Sequence, residues 1–91
     1  MNKVNIDIYY CRQCQWMLRA SWLSQELLQT FSEEIDMVSL HPDTGGRFEI
    51  FCNQRSIWER KRDNGFPEAK ILKQRVRDMI DPQRDLGHID R

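Results

Sequence analysis

The segment Val4-Asn5-Ile6-Asp7-Ile8-Tyr9-Tyr10-Cys11-Arg12-Gln13-Cys14 carries two signals in immediate succession. Val4, Ile6, Ile8 and Tyr10 alternate with Asn5, Asp7 and Tyr9, and Lys3 precedes them in the same register. A period of two rich in β-branched residues makes a strand with one apolar and one mostly polar face. The pattern stops at Cys11, and a second cysteine follows three residues later. Residues 13–31 then contain neither Gly nor Pro, and Trp16, Ala20, Leu23, Leu27 and Phe31 recur every three or four positions. That spacing predicts a helix with one apolar stripe, opening at the cysteine pair.

The remaining elements follow outward from this junction. Residues 33–40 read as a second strand, with Ile35, Met37, Val38 and Leu40 apolar. His41-Pro42-Asp43-Thr44-Gly45-Gly46 is a turn cluster. Residues 47–52 alternate again, with Phe48, Ile50 and Cys52 on one side. Asn53-Gln54 is a two-residue turn, and residues 55–60 return with Ile57 and Trp58. After a break at 63–67, Pro67 suits a first helical turn, and Ile71, Leu72, Val76, Met79 and Ile80 mark a last helix stopped by Asp81-Pro82. Residues 1–81 form a single domain, and 82–91 are a polar tail.

Connection rules turn this order into an architecture. The strand–helix–strand crossover makes the first two strands parallel and right-handed, and the last two strands pair as a hairpin. Polar alternate positions at Lys3, Asn5, Asp7 and Glu49 leave one sheet face without a helix cover. The expected fold is therefore α/β (α+β) with the order βαβββα, a four-stranded mixed sheet 2-1-3-4 and both helices on one face. In that arrangement the cysteine pair, the loop 41–46 and the loop 63–67 meet at one edge.

The chain has 91 residues, with Lys+Arg 14 and Asp+Glu 14. That zero net charge lacks the basic excess of a nucleic-acid or anionic-membrane binder. No apolar run approaches the roughly 20 residues of a membrane span, and residues 1–7 lack a signal-peptide block, so a cytoplasmic location is expected. Three cysteines, Cys11, Cys14 and Cys52, do not make a disulfide framework.

A Cys-x-x-Cys between a strand and a helix reads as redox chemistry. A helix start offers free N–H groups and partial positive charge, both of which stabilise a thiolate. Arg12 adds a cation, and no acid lies between Asp7 and Glu26. A metal would need about four ligands. Beyond the pair only His41, His88 and Cys52 are candidates, so no metal is expected. Cys52 reads as a small core residue, and His41 as a turn or strand-end residue. Thr44-Gly45-Gly46 is either a plain turn or a place where a substrate backbone comes close. Phe66 is either a staple for the last helix or a lip of the site. The basic residues of the last helix read as a solvated face. Cys14, Leu18 and Trp22, spaced by four, lie off the core stripe; Trp22 is expected to cover the sheet edge rather than form a docking strip.

Taken together these residues resemble the selenoprotein W, T and H group of thioredoxin-like proteins, the Rdx family, in a cysteine-containing bacterial form. The resemblance rests on the cysteine pair after the alternating strand, on Thr44-Gly45-Gly46-Arg47-Phe48-Glu49-Ile50, on Trp58 and on Gly65-Phe66-Pro67, and covers about residues 3–81. It implies a thioredoxin-like βαβββα fold and thiol-based redox chemistry, with glutathione or a thioredoxin-type protein as reductant and client protein thiols as partners. It also implies that selenium-containing members carry selenocysteine at the position of Cys14. Thioredoxin's cis-proline has no counterpart, since Pro42 falls several residues before Gly46.

The resulting expectations are these. Cys11 and Cys14 are the catalytic pair of a thiol–disulfide or peroxide-handling oxidoreductase, with Cys11 the accessible attacking thiolate and Cys14 the covered resolver. Arg12, Thr44, Gly45, Gly46 and Phe66 contact the substrate. No resident cofactor is needed, with glutathione as co-substrate, and the chain is a monomer or a weak homodimer. The alternative is a redox-switched interaction module without turnover.

Overall fold

The computed structural model describes residues 3–87. The elements are β1 (Val4–Cys11), α1 (Met17–Thr30), β2 (Ile35–Asp43), β3 (Phe48–Cys52), β4 (Arg55–Glu59) and α2 (Ala69–Ile80). The sheet order is β2-β1-β3-β4, with β1 parallel to β2 and antiparallel to β3. The predicted order and pairings hold. Asn53 and Gln54 both have positive φ (50° and 70°), as a tight primed hairpin turn requires.

The alternation of β1 becomes a burial pattern. Val4, Ile6, Ile8 and Tyr10 are buried, while Asn5, Asp7 and Tyr9 are half-buried on the open face. The helical stripe Ala20, Leu23, Leu27 and Phe31 lies against the sheet at no more than 1% exposure. Leu23, Leu27 and Phe31 each contribute about 1.5–3 kcal/mol of transfer free energy. α1 packs on β1 and β2 and against α2, and α2 packs on β4, so both helices cover the same face.

Two boundaries differ markedly from the sequence reading, each for a local reason. α1 starts at Met17 rather than Gln13, because Gln15 adopts a left-handed φ of 61° that no helix can contain. β2 runs on to Asp43 and takes in His41 and Pro42. It is an edge strand, where the missing N–H of a proline costs no ladder bond. The basic residues of α2 are not simply solvated. Lys73 is buried against Glu26 at 2.9 Å, and Arg75 bonds the Ile57 carbonyl at 2.7 Å and Asp63 at 3.0 Å. Trp22 does not cover the sheet edge: it is 50% exposed, beside Leu18 at 76%. After α2 the polar segment lies against the domain, with Arg84 over the Phe31 ring and paired with Glu34, and Leu86 on the core. His88 lies outside the described residues. No described helix is long and apolar enough to cross a membrane.

Candidate functional site

The site begins where β1 ends. Cys11 is the last residue of the strand and pairs in register with Asp43, and the Arg12 N–H donates to the Asp43 carbonyl at 2.9 Å. The chain then curls. The Gln15 N–H reaches the Arg12 carbonyl and the Trp16 N–H reaches the Cys11 carbonyl. This turn, closed by left-handed Gln15, points the N–H groups of Gln13 and Cys14 at the Cys11 sulfur. The anion cradle expected from a helix start is thus supplied by the loop in front of the helix.

The two sulfurs lie within hydrogen-bond reach of each other. The Cys14 thiol donates to Cys11 and holds Cys11 below the ordinary thiol range. Desolvation opposes this, and N–H groups of Gly46, Cys14 and Gln13 reinforce it. Cys14 is held above that range by the same bond, by desolvation and by the charge on Cys11, against the Gly46 N–H and the positive charge of Arg60. Of the two sulfurs, Cys11 is therefore the one that ionises first. Exposure divides the pair the other way: Cys11 is buried at 1%, and Cys14 is exposed. This reverses the access expected from sequence, because the strand end lies beneath the 44–46 turn while Cys14 rides on the outer loop.

Gly45 and Gly46 both sit at φ 71°, in the left-handed region that glycine enters without steric cost. Asp43 Oδ1 accepts the Thr44 N–H at 2.8 Å, and Asp43 Oδ2 accepts from Arg47 at 3.0 Å. These bonds pin one end of the turn. Arg60 pins the other: its Nε donates to the Gly46 carbonyl at 3.0 Å. The residues expected to touch substrate therefore separate. Gly46 lies on the sulfurs, whereas Thr44 and Gly45 are exposed beside it. Arg12 is exposed, and its charge helps to hold the Asp43 carboxyl below its ordinary range. Phe66 packs edge-on against Trp16 and Phe48, with ring centroids at 4.8 and 5.1 Å. It braces the start of α1 against β3, and these contacts are not those of a staple on α2.

Arg60 was not legible as part of the site, since an arginine after a strand looks like a solvated charge. The only signal was that β4 ends at the cysteine edge. The open face also organises residues that the sequence left separate. His41 Nε2 pairs with Asp7 Oδ1 at 2.8 Å and stacks on Tyr9 at 4.2 Å. The Arg47 guanidinium lies over the Tyr9 ring, 4.2 Å from its centroid, and borders a hollow of about 230 Å³ with Asp7, Phe51 and Gln54. Cys52 is fully buried, and burial pushes its thiol up to about 11. Among the described residues no group of three His, Cys, Asp or Glu side chains is placed to hold a metal ion.

Comparison with known proteins fits this geometry. The Rdx family profile matches residues 5–78. A selenoprotein W-related protein from Vibrio cholerae is 78% identical, with a TM-score of 0.86, over 88% of this chain and 100% of that one. A protein of known structure from Bordetella parapertussis is 55% identical, with a TM-score of 0.83, over 86% of this chain and 99% of that one. A search of curated proteins finds no match. With a cysteine pair at the end of β1, a glycine turn over the sulfurs and a profile match over most of its length, this chain belongs to the Rdx family.

Proposed function

We propose that the protein is a thiol–disulfide oxidoreductase in which Cys14 meets the substrate and Cys11 serves as base and resolver. The observation that carries this is the hydrogen-bonded pair of sulfurs, one exposed and one buried under a backbone N–H. In the first step the Cys14 sulfur attacks one sulfur of a disulfide RSSR′. Its proton passes to the Cys11 thiolate, a Cys14–S–S–R bond forms, and R′S⁻ leaves. In the second step Cys11 loses that proton to water and attacks the Cys14 sulfur. The Cys11–Cys14 disulfide forms and RS⁻ leaves, so two electrons have passed from the pair to RSSR′. Two equivalents of glutathione, or one dithiol protein, return the pair to thiols. The Gly46 N–H reaches both sulfurs and so stabilises whichever one carries charge.

This assignment differs from the sequence expectation in its order, not in its residues. The charge stays on Cys11, but access belongs to Cys14. Exposure of Met17, Leu18 and Trp22 next to Cys14 supports a second reading, in which oxidation of the pair changes a binding surface without turnover. With either reading we propose protein thiols as partners and a cytoplasmic location.

The test is incubation in glutathione buffers of graded redox ratio, followed by acid quench, alkylation and peptide mass analysis. The reading expects reversible loss of two protons on the peptide holding Cys11 and Cys14, together with catalytic reduction of a disulfide substrate by excess glutathione. A bond from Cys52 to either cysteine, or no disulfide in any buffer, overturns it. A reversible disulfide without turnover selects the switch.

A further inference from the structure

We propose that Arg60 is the positioning residue of the cysteine pair, holding the glycine turn over the sulfurs and a fixed positive charge beside Cys14. The inference rests on the redox reading of that pair and adds a residue from outside its two loops. Arg60 is itself anchored at both backbone groups: its N–H donates to the Phe48 carbonyl at 2.9 Å, and its carbonyl accepts the Gly65 N–H at 2.8 Å. From this fixed base the side chain reaches the two other segments at the edge. Its Nε holds the Gly46 carbonyl at 3.0 Å, and its guanidinium lies 5.2 Å from the ring centroid of Trp16, the residue that caps α1. A Cβ on Gly46 would stand 3.3 Å from Arg60 Nη2, so the turn and the arginine are fitted to each other.

Among the described arginines near this edge, the others are engaged elsewhere. Arg12 acts on Asp43, Arg47 is engaged by Asp43 and Glu49, and Arg19 lies over Phe66 at 4.0 Å. The charged groups at the pair are therefore Cys11 from β1, Cys14 from the following loop and Arg60 from the end of β4, with Asp43 from β2 neutralised by Arg47. Thiolate charge exists in the reduced pair and vanishes in the disulfide. A fixed cation beside it therefore favours the reduced form.

The test compares Arg60→Met and Arg60→Lys, whose stems cover the same surface while only lysine keeps the charge. In Arg60→Met the ratio of disulfide to dithiol in a fixed glutathione buffer should rise about fivefold, and the alkylation rate near neutral pH should fall by a similar factor. Arg60→Lys should lie between Met and wild type. Circular dichroism establishes that each variant is folded. If Arg60→Met stays within twofold of wild type in both readouts, or Arg60→Lys is no closer to wild type than Arg60→Met, the proposal is wrong. Alkylation of the reduced protein needs no turnover. A wild type that forms no disulfide therefore sinks the redox reading, while the alkylation profile still decides on Arg60.

Discussion

Replacing Gly46 by alanine separates what the turn does for stability from what it does for the sulfurs. At φ 71° an alanine is forced into the left-handed region, which costs about 1–2 kcal/mol. In a domain of this size each kcal/mol lowers Tm by about 4–8 °C, so a fall of roughly 5–15 °C is expected. Gly45→Ala provides the control, because its φ is also 71° but its added Cβ meets nothing within 4 Å. The two variants should melt at similar temperatures. Only Gly46→Ala places a methyl 3.3 Å from Arg60 Nη2, at the residue whose N–H serves both sulfurs. Its thiol alkylation midpoint should therefore shift to higher pH, while that of Gly45→Ala moves less. Melting is followed by circular dichroism, and alkylation by mass spectrometry across a pH series. Equal alkylation midpoints in the two variants would falsify the role given to the Gly46 N–H, and an unchanged Tm in both would remove the argument from backbone strain.

Two further predictions concern groups away from the pair. Burial raises the Cys52 thiol from 9.0 to about 11, so the unfolded state ionises first as pH rises. The stability this thiol contributes is complete below about pH 9 and is lost toward pH 11, by roughly 2–3 kcal/mol; a Cys52→Ala variant with the same alkaline loss of Tm as wild type would contradict it. Burial alone would raise the Asp63 carboxyl, but the Glu59 N–H and the guanidinium groups of Arg62 and Arg75 bring it below its ordinary 3.8. Its contribution is present above about pH 4 and is lost as pH falls through the lower folded value, so Asp63→Asn should flatten the acid side of the Tm profile and cost about 1–3 kcal/mol at neutral pH. A profile parallel to wild type counts against that network.

Much of the fold could be read from the residues, because it depends on periods. The alternation of Val4, Ile6, Ile8 and Tyr10 and the stripe Ala20, Leu23, Leu27, Phe31 each need only a local pattern. What could not be read depends on contacts between distant segments or on single dihedral angles. The left-handed Gln15 delays α1, and nothing in a run free of Gly and Pro announces it. Pro42 suggested a turn, yet it is harmless on an edge strand, and this placed His41 outside β2. The cysteine pair and Gly46 were visible as chemistry-bearing residues. Their relative access was not, because Cys11 is covered by a turn more than 30 residues further along the chain. Arg60 enters the site through its bond to Gly46 and its contact with Trp16, pairings invisible in sequence order.

The most direct measurement is the rate of mixed-disulfide formation with glutathione disulfide near neutral pH in Cys11→Ser and Cys14→Ser. Removing Cys11 takes away the bond and the charge that hold the Cys14 thiol up, and leaves the exposed sulfur facing the Gly46 N–H and Arg60. Removing Cys14 leaves a sulfur that is 1% exposed. The account predicts that Cys11→Ser is glutathionylated at Cys14 at least about tenfold faster than Cys14→Ser is at Cys11. A faster reaction at Cys11 would return the attacking role to the buried cysteine and contradict the account.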